Sequence, residues 1–395
     1  MTASSPPAGL SIRDTAHLLR CYACVERACI TIQAGWFLAA PAYETKYRLA
    51  YHLLDHADHV TWFRQRLSEM RGGQPDANVP QPLREVLSAA LHAPSCESLL
   101  RGLYGVVKRS LADALRRHLG RIDAAANAVE ARLLRRVLPE LEAQLDWFDG
   151  LGLEGETDPW ASSLADLLRW AGGIDGTCDG GPRPPMAGER RFQRPGTILF
   201  DERICIGELT PYAERQQMDS RAATVEQFKV FFNELYAAAL LASILFDSAE
   251  DGHPWEFYAD FSRHFWDEAR HSEFGALRLV ELGTRPKVCN PILFEQSEGL
   301  PVLHRLAYLT RGLESYFMPR KQPRVKEYEA SGDSRSQLFA DHDWSDEITH
   351  VRYGSTWCDH LLKDDVREVD DILDEVREHL AKAGARKVTR IEAPF

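Results

Sequence analysis

The sequence lacks any uninterrupted apolar run near the roughly 18–20 residues that a membrane-spanning helix needs, so no membrane association is expected. Its opening residues, Met1-Thr-Ala-Ser-Ser-Pro-Pro, have no basic start followed by an apolar core. That excludes a secretory leader from the reading and makes the expected compartment cytoplasmic. Cysteine is sparse: eight residues in 395, without disulfide-framework spacing, as suits a reducing environment. Cys21-x-x-Cys24, with Cys29 beyond, is the one clustered set. With no second Cys/His pair nearby, it reads as thiols packed in a helix rather than a zinc site. No Gly-rich fingerprint for a flavin or nicotinamide is present, so electrons for redox chemistry would come from an external donor. Positive charge is in deficit: the net charge is −12, which argues against nucleic acid as the main partner. A basic segment at 101–136 and an acidic one at 364–378 read as solvated helix faces, the alternative for the basic one being a docking surface for an anionic partner.

What the chain does have is helical periodicity. Residues 10–149 read as a helical bundle, with breaks at Pro41, Gly72-Gly73, the proline-rich stretch 74–96 and Gly120. Residues 150–221 are rich in glycine and proline and read as a connector, with one short helix near 160–171 and the capacity to act as a lid. A second bundle follows at 222–363, with helices predicted at about 222–250, 254–283, 299–318 and 344–362. Pro301 is expected to open the third of these and Pro319 to close it, leaving 320–343 as a polar insert. An acidic amphipathic helix and a loose tail complete the chain over 364–395. The predicted fold class is therefore all-α.

Within the second bundle one motif occurs twice. Asp267-Glu-Ala-Arg-His271 returns 79 residues later as Asp346-Glu-Ile-Thr-His350, each with a glycine four positions past the histidine, Gly275 and Gly354. On a helix, Glu and His three residues apart share a face and can reach one point. A dinuclear carboxylate centre in a bundle takes Glu-x-x-His from two helices and a single Glu from each of the other two. Glu234 and Glu314 supply the single acids, each set in an apolar, aromatic stretch where an unpaired carboxylate is expensive. The expected metal ligands are thus Glu234, Glu268, His271, Glu314, Glu347 and His350. The one alternative, buried salt bridges, finds as neighbouring cations only Arg270 and Arg311. Asp267 and Asp346 are expected to orient the ligand histidines through Nδ1–H. Gly275, Gly354, Phe231, Tyr353 and His264 are expected to line a substrate pocket, with further walls from Phe232, Phe265 and Phe274; on the stripe of Glu268 and His271, His264 could also back the ligands or be an additional one, a core or surface histidine being the favoured reading.

Asp267-Glu-Ala-Arg-His271 resembles the Asp-Glu-x-Arg-His signature of the ferritin-like diiron carboxylate oxidases and oxygenases; the second copy departs from it in lacking the arginine. The resemblance implies a ferritin-like four-helix bundle over 222–363 and crossed support, Asp267 to His350 and Asp346 to His271. The whole pattern is similar to bacterial ferritin-like proteins distantly related to the tRNA hydroxylases. The expectation is an O2-dependent oxidase or oxygenase with two iron ions, a Mn/Fe pair being compatible, acting on a small organic substrate. An electron-transfer protein is a compatible partner and the sequence allows a homodimer. Alternatives are an iron-handling ferroxidase and a tRNA-directed hydroxylase. The first bundle is expected to hold no metal site and to serve in packing, and it could be a degenerate repeat: Asp55-His-Ala-Asp-His59 aligns with Asp267–His271, Glu26 with Glu234, and Lys108 falls near the place of Glu314.

Overall fold

The computed structural model describes residues 9–71, 73–153, 158–176, 181–188 and 190–384; the predicted tail at 385–395 lies outside them. Helices dominate throughout, and the chain is an all-α bundle protein. It divides into two compact units, the described parts of Met1–Gln33 with His52–Gln193 and of Ala34–Tyr51 with Arg194–Phe395. These boundaries differ from those read in the sequence. The 150–221 stretch is not an independent connector: its first part packs in one unit and its last part in the other. The reason is local, because α7 (Pro159–Trp170) buries Trp160, Leu164, Leu167 and Leu168.

The first helices are α1 (Ile12–Ala39) and α2 (Tyr43–Glu69). Ser11 caps α1 by accepting from the Asp14 N–H at 3.1 Å. Then come α3 (Gln81–Leu91), α4 (Cys96–Leu100), a π-helical stretch over Arg101–Lys108, α5 (Arg109–Gly120) and α6 (Ala128–Asp149). The core of this unit includes Tyr22, Phe63, Tyr104 and Leu141, all essentially inaccessible.

In the second unit, α8 (Tyr212–Arg215) precedes α9 (Ser220–Asn233) and α10 (Leu235–Asp247). Asp219 caps α9 by accepting from the Ala222 N–H. Glu234 interrupts what is otherwise one helix: its N–H bonds the Phe231 carbonyl, a tightened turn. The 28 residues Ser220–Asp247 are long and apolar enough to cross a membrane by length and composition, with a mean hydropathy of 1.5 in the most apolar window. Reading uninterrupted runs missed this, because Glu234 and a few other polar residues break the run without cancelling its average. Since 72% of that window is buried, it is a core segment here.

Then follow α11 (Trp255–Glu281), α12 (Ile292–Ser297), α13 (Val302–Leu306), a second π-helical stretch over Ala307–Glu314, α14 (Ser315–Ser331), α15 (Ser334–Leu362) and α16 (Val369–Gly384). A short parallel pair, β1 (Cys205–Ile206) with β2 (Val288–Cys289), ties the chain ahead of α8 to the segment after α11. Gly283, at φ +81°, ends α11 as expected, with Thr284 N–H returning to the Leu279 carbonyl.

Pro319 does not close its helix, contrary to the sequence reading. α14 runs through both Pro319 and Pro323 to Ser331. The backbone bonds the prolines remove are offset by burial of Val325 and Tyr328 and by ion pairs from Lys321 to α15. Gly332, at φ +73°, then turns the chain, and Asp333 caps α15 by accepting from the Ser336 N–H. The expected polar insert is in fact a tight helical hairpin. α9 and α10 pack along α11, α14 packs along α15, and α11 meets α15.

Candidate metal centre

All six predicted ligands converge in the second unit, and two further residues join them. The donor atoms of His264, Glu268, Glu314 and His350 lie within 4.8 Å of one another, as do those of Glu234, His271 and Asp343, and those of Glu268, His271 and Glu347. Two overlapping groups share Glu268, which therefore stands between the halves. His264 Nε2 is 2.8 Å from Glu314 Oε1, and its ring stacks on His350 with centroids 3.7 Å apart. His350 Nδ1 is 3.2 Å from Glu268 Oε1, and His271 Nδ1 is 3.5 Å from both Glu234 Oε2 and Asp343 Oδ1.

Asp343 and Lys321 are the residues that sequence reading missed. Asp343 lies four residues before Glu347 and seven before His350, the spacing His264 keeps from Glu268 and His271. That shared stripe was the available signal. Lys321 falls in the stretch expected to be a polar insert after Pro319, where no helix face could be assigned to it. Its buried ammonium donates to Asp343 at 2.7 Å and to Glu347 at 2.8 Å, so the cluster does contain a matching cation for one side.

The supporting aspartates cross as the resemblance implied. His271 Nε2 meets Asp346 Oδ2 at 3.0 Å, and His350 Nε2 meets Asp267 Oδ2 at 3.3 Å. The nitrogen involved is Nε2, not the Nδ1 expected, so both Nδ1 atoms face inward. Arg270 donates to both aspartates, to Asp267 at 2.8 Å and also to Asp346. One arginine serves both histidine supports, which accounts for Thr349 standing where the second motif would carry another.

The electrostatics are those of a compressed anionic site. Burial, with the charge of Asp343, pushes the Glu234 carboxyl well above the ordinary range. Burial lifts Glu347 to about 7 against the pull of Lys321. Burial acts to lower His271, but the Asp346 hydrogen bond and the charges of Asp343 and Glu268 raise it to about 9. Five carboxylates, the buried Glu268, Glu314, Asp343 and Glu347 and the half-buried Glu234, face one ammonium. Four formal negative charges are left over, the number two divalent cations neutralise. Among the described residues, one buried atom on each of the eight cluster residues lacks a hydrogen-bond partner: Glu234 Oε2, His264 Nδ1, Glu268 Oε1, His271 Nδ1, Glu314 Oε2, Asp343 Oδ2, Glu347 Oε2 and His350 Nδ1. Buried polar atoms are normally satisfied, so this concentration fits a site built for cations.

The expected substrate pocket is corrected in its lining. A Cβ on Gly275 would stand 2.1 Å from the Phe232 backbone nitrogen, and one on Gly354 2.1 Å from Thr310 Oγ1. Both glycines are helix-crossing points rather than open space. Phe231 stacks on Phe228, Phe265 meets Phe37 edge-on and Phe274 stacks on Phe339, all as core packing. Tyr353 is half-buried and His264 belongs to the cluster itself; neither lines the cavity. The cavity that reaches the carboxylates, ≈ 100 Å³, is walled by Val230, Tyr236, Leu309, Leu313 and Phe317 beside Glu234, Glu268, Glu314 and Glu347. Tyr212 and Arg215 of α8 also border it.

The predicted basic face at 101–136 is mostly neutralised. Arg101 pairs with Glu97, Arg109 with Asp149, Arg116 with Asp113 and Glu142, and Arg117 with Asp175, while Lys108 is buried.

Residues 203–393 match the family described as a protein of unknown function, DUF455. No curated protein and no solved structure matches the chain.

Proposed function

We propose that the second unit is a ferritin-like dinuclear non-haem iron oxidase or oxygenase acting on a small organic substrate. The observation that carries the reading is a His/carboxylate cluster of eight converging residues, each with a buried and unpartnered polar atom. Mixed imidazole and carboxylate donors suit iron or manganese, and thiolate, which would favour other metals, takes no part. Glu234, His271 and Asp343 would hold one ion, and His264, Glu314 and His350 the other, with Glu268 and Glu347 between them. When bound, such a pair supplies activation of O2 for oxidation of an organic molecule.

The chain's own groups prepare for this. Asp267, Asp346 and Arg270 fix the histidine rings so that Nδ1 points inward. Leu309, Leu313, Phe317 and Tyr236 keep the cavity apolar and exclude water from the reacting position. Lys321 holds Asp343 and Glu347 in place and neutralises part of their charge.

The deciding measurement is metal content with Glu268→Ala and His350→Ala. About two irons per chain held by the parent and lost in each variant, with helicity kept, would support the reading. Unchanged occupancy in both variants would refute the assignment. Uptake of hundreds of irons per assembly in air would favour iron storage instead.

A further inference from the structure

We propose that the first unit also holds a metal: a single divalent transition ion on Glu26, His56 and His59, built as one half of a dinuclear centre. The donor atoms of these three fully buried residues lie within 4.8 Å of one another. His59 Nδ1 is 3.0 Å from Glu26 Oε1, and His56 Nδ1 contacts Glu26 Oε2. His59 Nε2 is 2.9 Å from Glu140 Oε2, the arrangement His271 makes with Asp346. A carboxylate on the far nitrogen is the usual means of orienting a metal-bound imidazole.

The correspondence extends around the site. The spacing His52-x3-His56-x2-His59 repeats as His264-x3-Glu268-x2-His271, and each π-helical stretch ends on the matching residue, Lys108 or Glu314. Asp55 is 2.9 Å from Gln144 as Asp267 is 3.3 Å from His350, which sets Gln144 in the place of that histidine. The residues matching Glu234 and His271 are therefore retained as Glu26 and His59. Those matching His350 and Glu314 are replaced by an amide and an ammonium, and Lys108 Nζ bonds Gln144 Oε1 at 2.8 Å. The lysine supplies the charge of the lost ion. Two imidazoles and a carboxylate suit zinc or ferrous iron.

The test uses the full chain carrying Glu268→Ala, His271→Ala and His350→Ala, which removes ligands of both ions proposed for the second unit, so that the reading of that unit does not enter. Equilibrated with Co2+ and desalted, it should keep about one ion per chain, with visible d–d absorption. Adding Glu26→Gln or His59→Gln should remove ion and absorption together while far-UV dichroism stays helical. A chain that keeps no ion, or an ion that survives both substitutions, would overturn the proposal.

A separate observation carries a second inference, which rests on the oxidase reading. Arg215, Arg320 and Arg324 border the cavity above the carboxylates and also line the adjoining surface cleft. Among the described residues, no carboxylate lies within 4 Å of any of the three; Arg320 instead stacks on Tyr212 and Tyr316. We infer that the substrate is a small carboxylic acid, its anion on the arginines and its apolar body against Leu309, Leu313 and Phe317. Calorimetric binding of pentanoate and pentanamide, without turnover, tests this whether or not oxidation occurs. Pentanoate should bind about tenfold more tightly, and the preference should fall in Arg320→Gln and Arg324→Gln. Equal affinities, no binding of either, or a preference indifferent to both substitutions would overturn it.

Discussion

Lys321 donates to Glu347 Oε1 at 2.8 Å inside the cluster that would hold metal. Ammonium and metal therefore draw on the same carboxylate. Lys321→Met should destabilise the metal-free protein by about 3–5 kcal/mol, because Asp343 and Glu347 lose their buried partner. Metal should recover most of that loss. Calorimetric melting with and without chelator is expected to show a larger metal-dependent rise in Tm for the variant than for the parent; equal rises would contradict the competition.

Arg270 spans Asp267 and Asp346, the two supports of the inward histidines. Arg270→Ala should weaken metal binding by roughly 10–100-fold without touching a proposed ligand. Both bonds come from the one nitrogen Nη2, so Arg270→Lys, which also offers several donors from one nitrogen but on a shorter side chain, should recover part of that affinity. Competition with a chromophoric chelator reads both values.

Gly275→Ala and Gly354→Ala force a methyl to about 2 Å from atoms of the facing helix. Each should cost about 1–3 kcal/mol or more. Gly120→Ala, with nothing within 4 Å of the added carbon, should be neutral or stabilising by up to about 1 kcal/mol. Urea denaturation of the three variants separates crowding from a general intolerance of change.

His118 is buried, and among the described residues neither ring nitrogen has a hydrogen-bond partner. Burial lowers its pKa to about 4 from the ordinary 6.5. The unfolded chain thus binds a proton over a pH range where the folded chain does not. This histidine's contribution is fully present above pH 6.5 and is lost as pH falls toward 4, by at most about 3 kcal/mol. His118→Phe should flatten that part of the stability profile; an unchanged slope would show that other groups set it.

The six predicted ligands could be read because each lies on a helix of strong periodicity, where spacing alone fixes which side chains share a face. Asp343 and Lys321 were hidden for a different reason. Lys321 lies between Pro319 and Pro323 on α14, where local chemistry argued for a break that tertiary packing overrides, and Asp343 on α15 stands one residue ahead of the helix predicted from about 344. Gly275 and Gly354 showed that something comes close to the helix, but a sequence cannot say whether that is a substrate or a neighbouring backbone. Glu234 stood out as an acid in an apolar run, while the tightened turn it occupies depends on contacts that no local pattern encodes. The unit boundaries were hardest, because the turn between α1 and α2 groups with residues more than 150 positions away.

The two π-helical stretches differ at their last residue: one closes on Lys108, the other on Glu314. Such widened turns are rare and often mark functional sites, yet this one exists equally around a cation and an anion. The backbone irregularity therefore does not depend on ligation. It behaves as a socket into which either charge fits by point substitution, without rebuilding the helix. On that footing the history of the centre can run in either direction. Lys108→Glu is the single change that would begin to turn the first unit's socket toward a second ion.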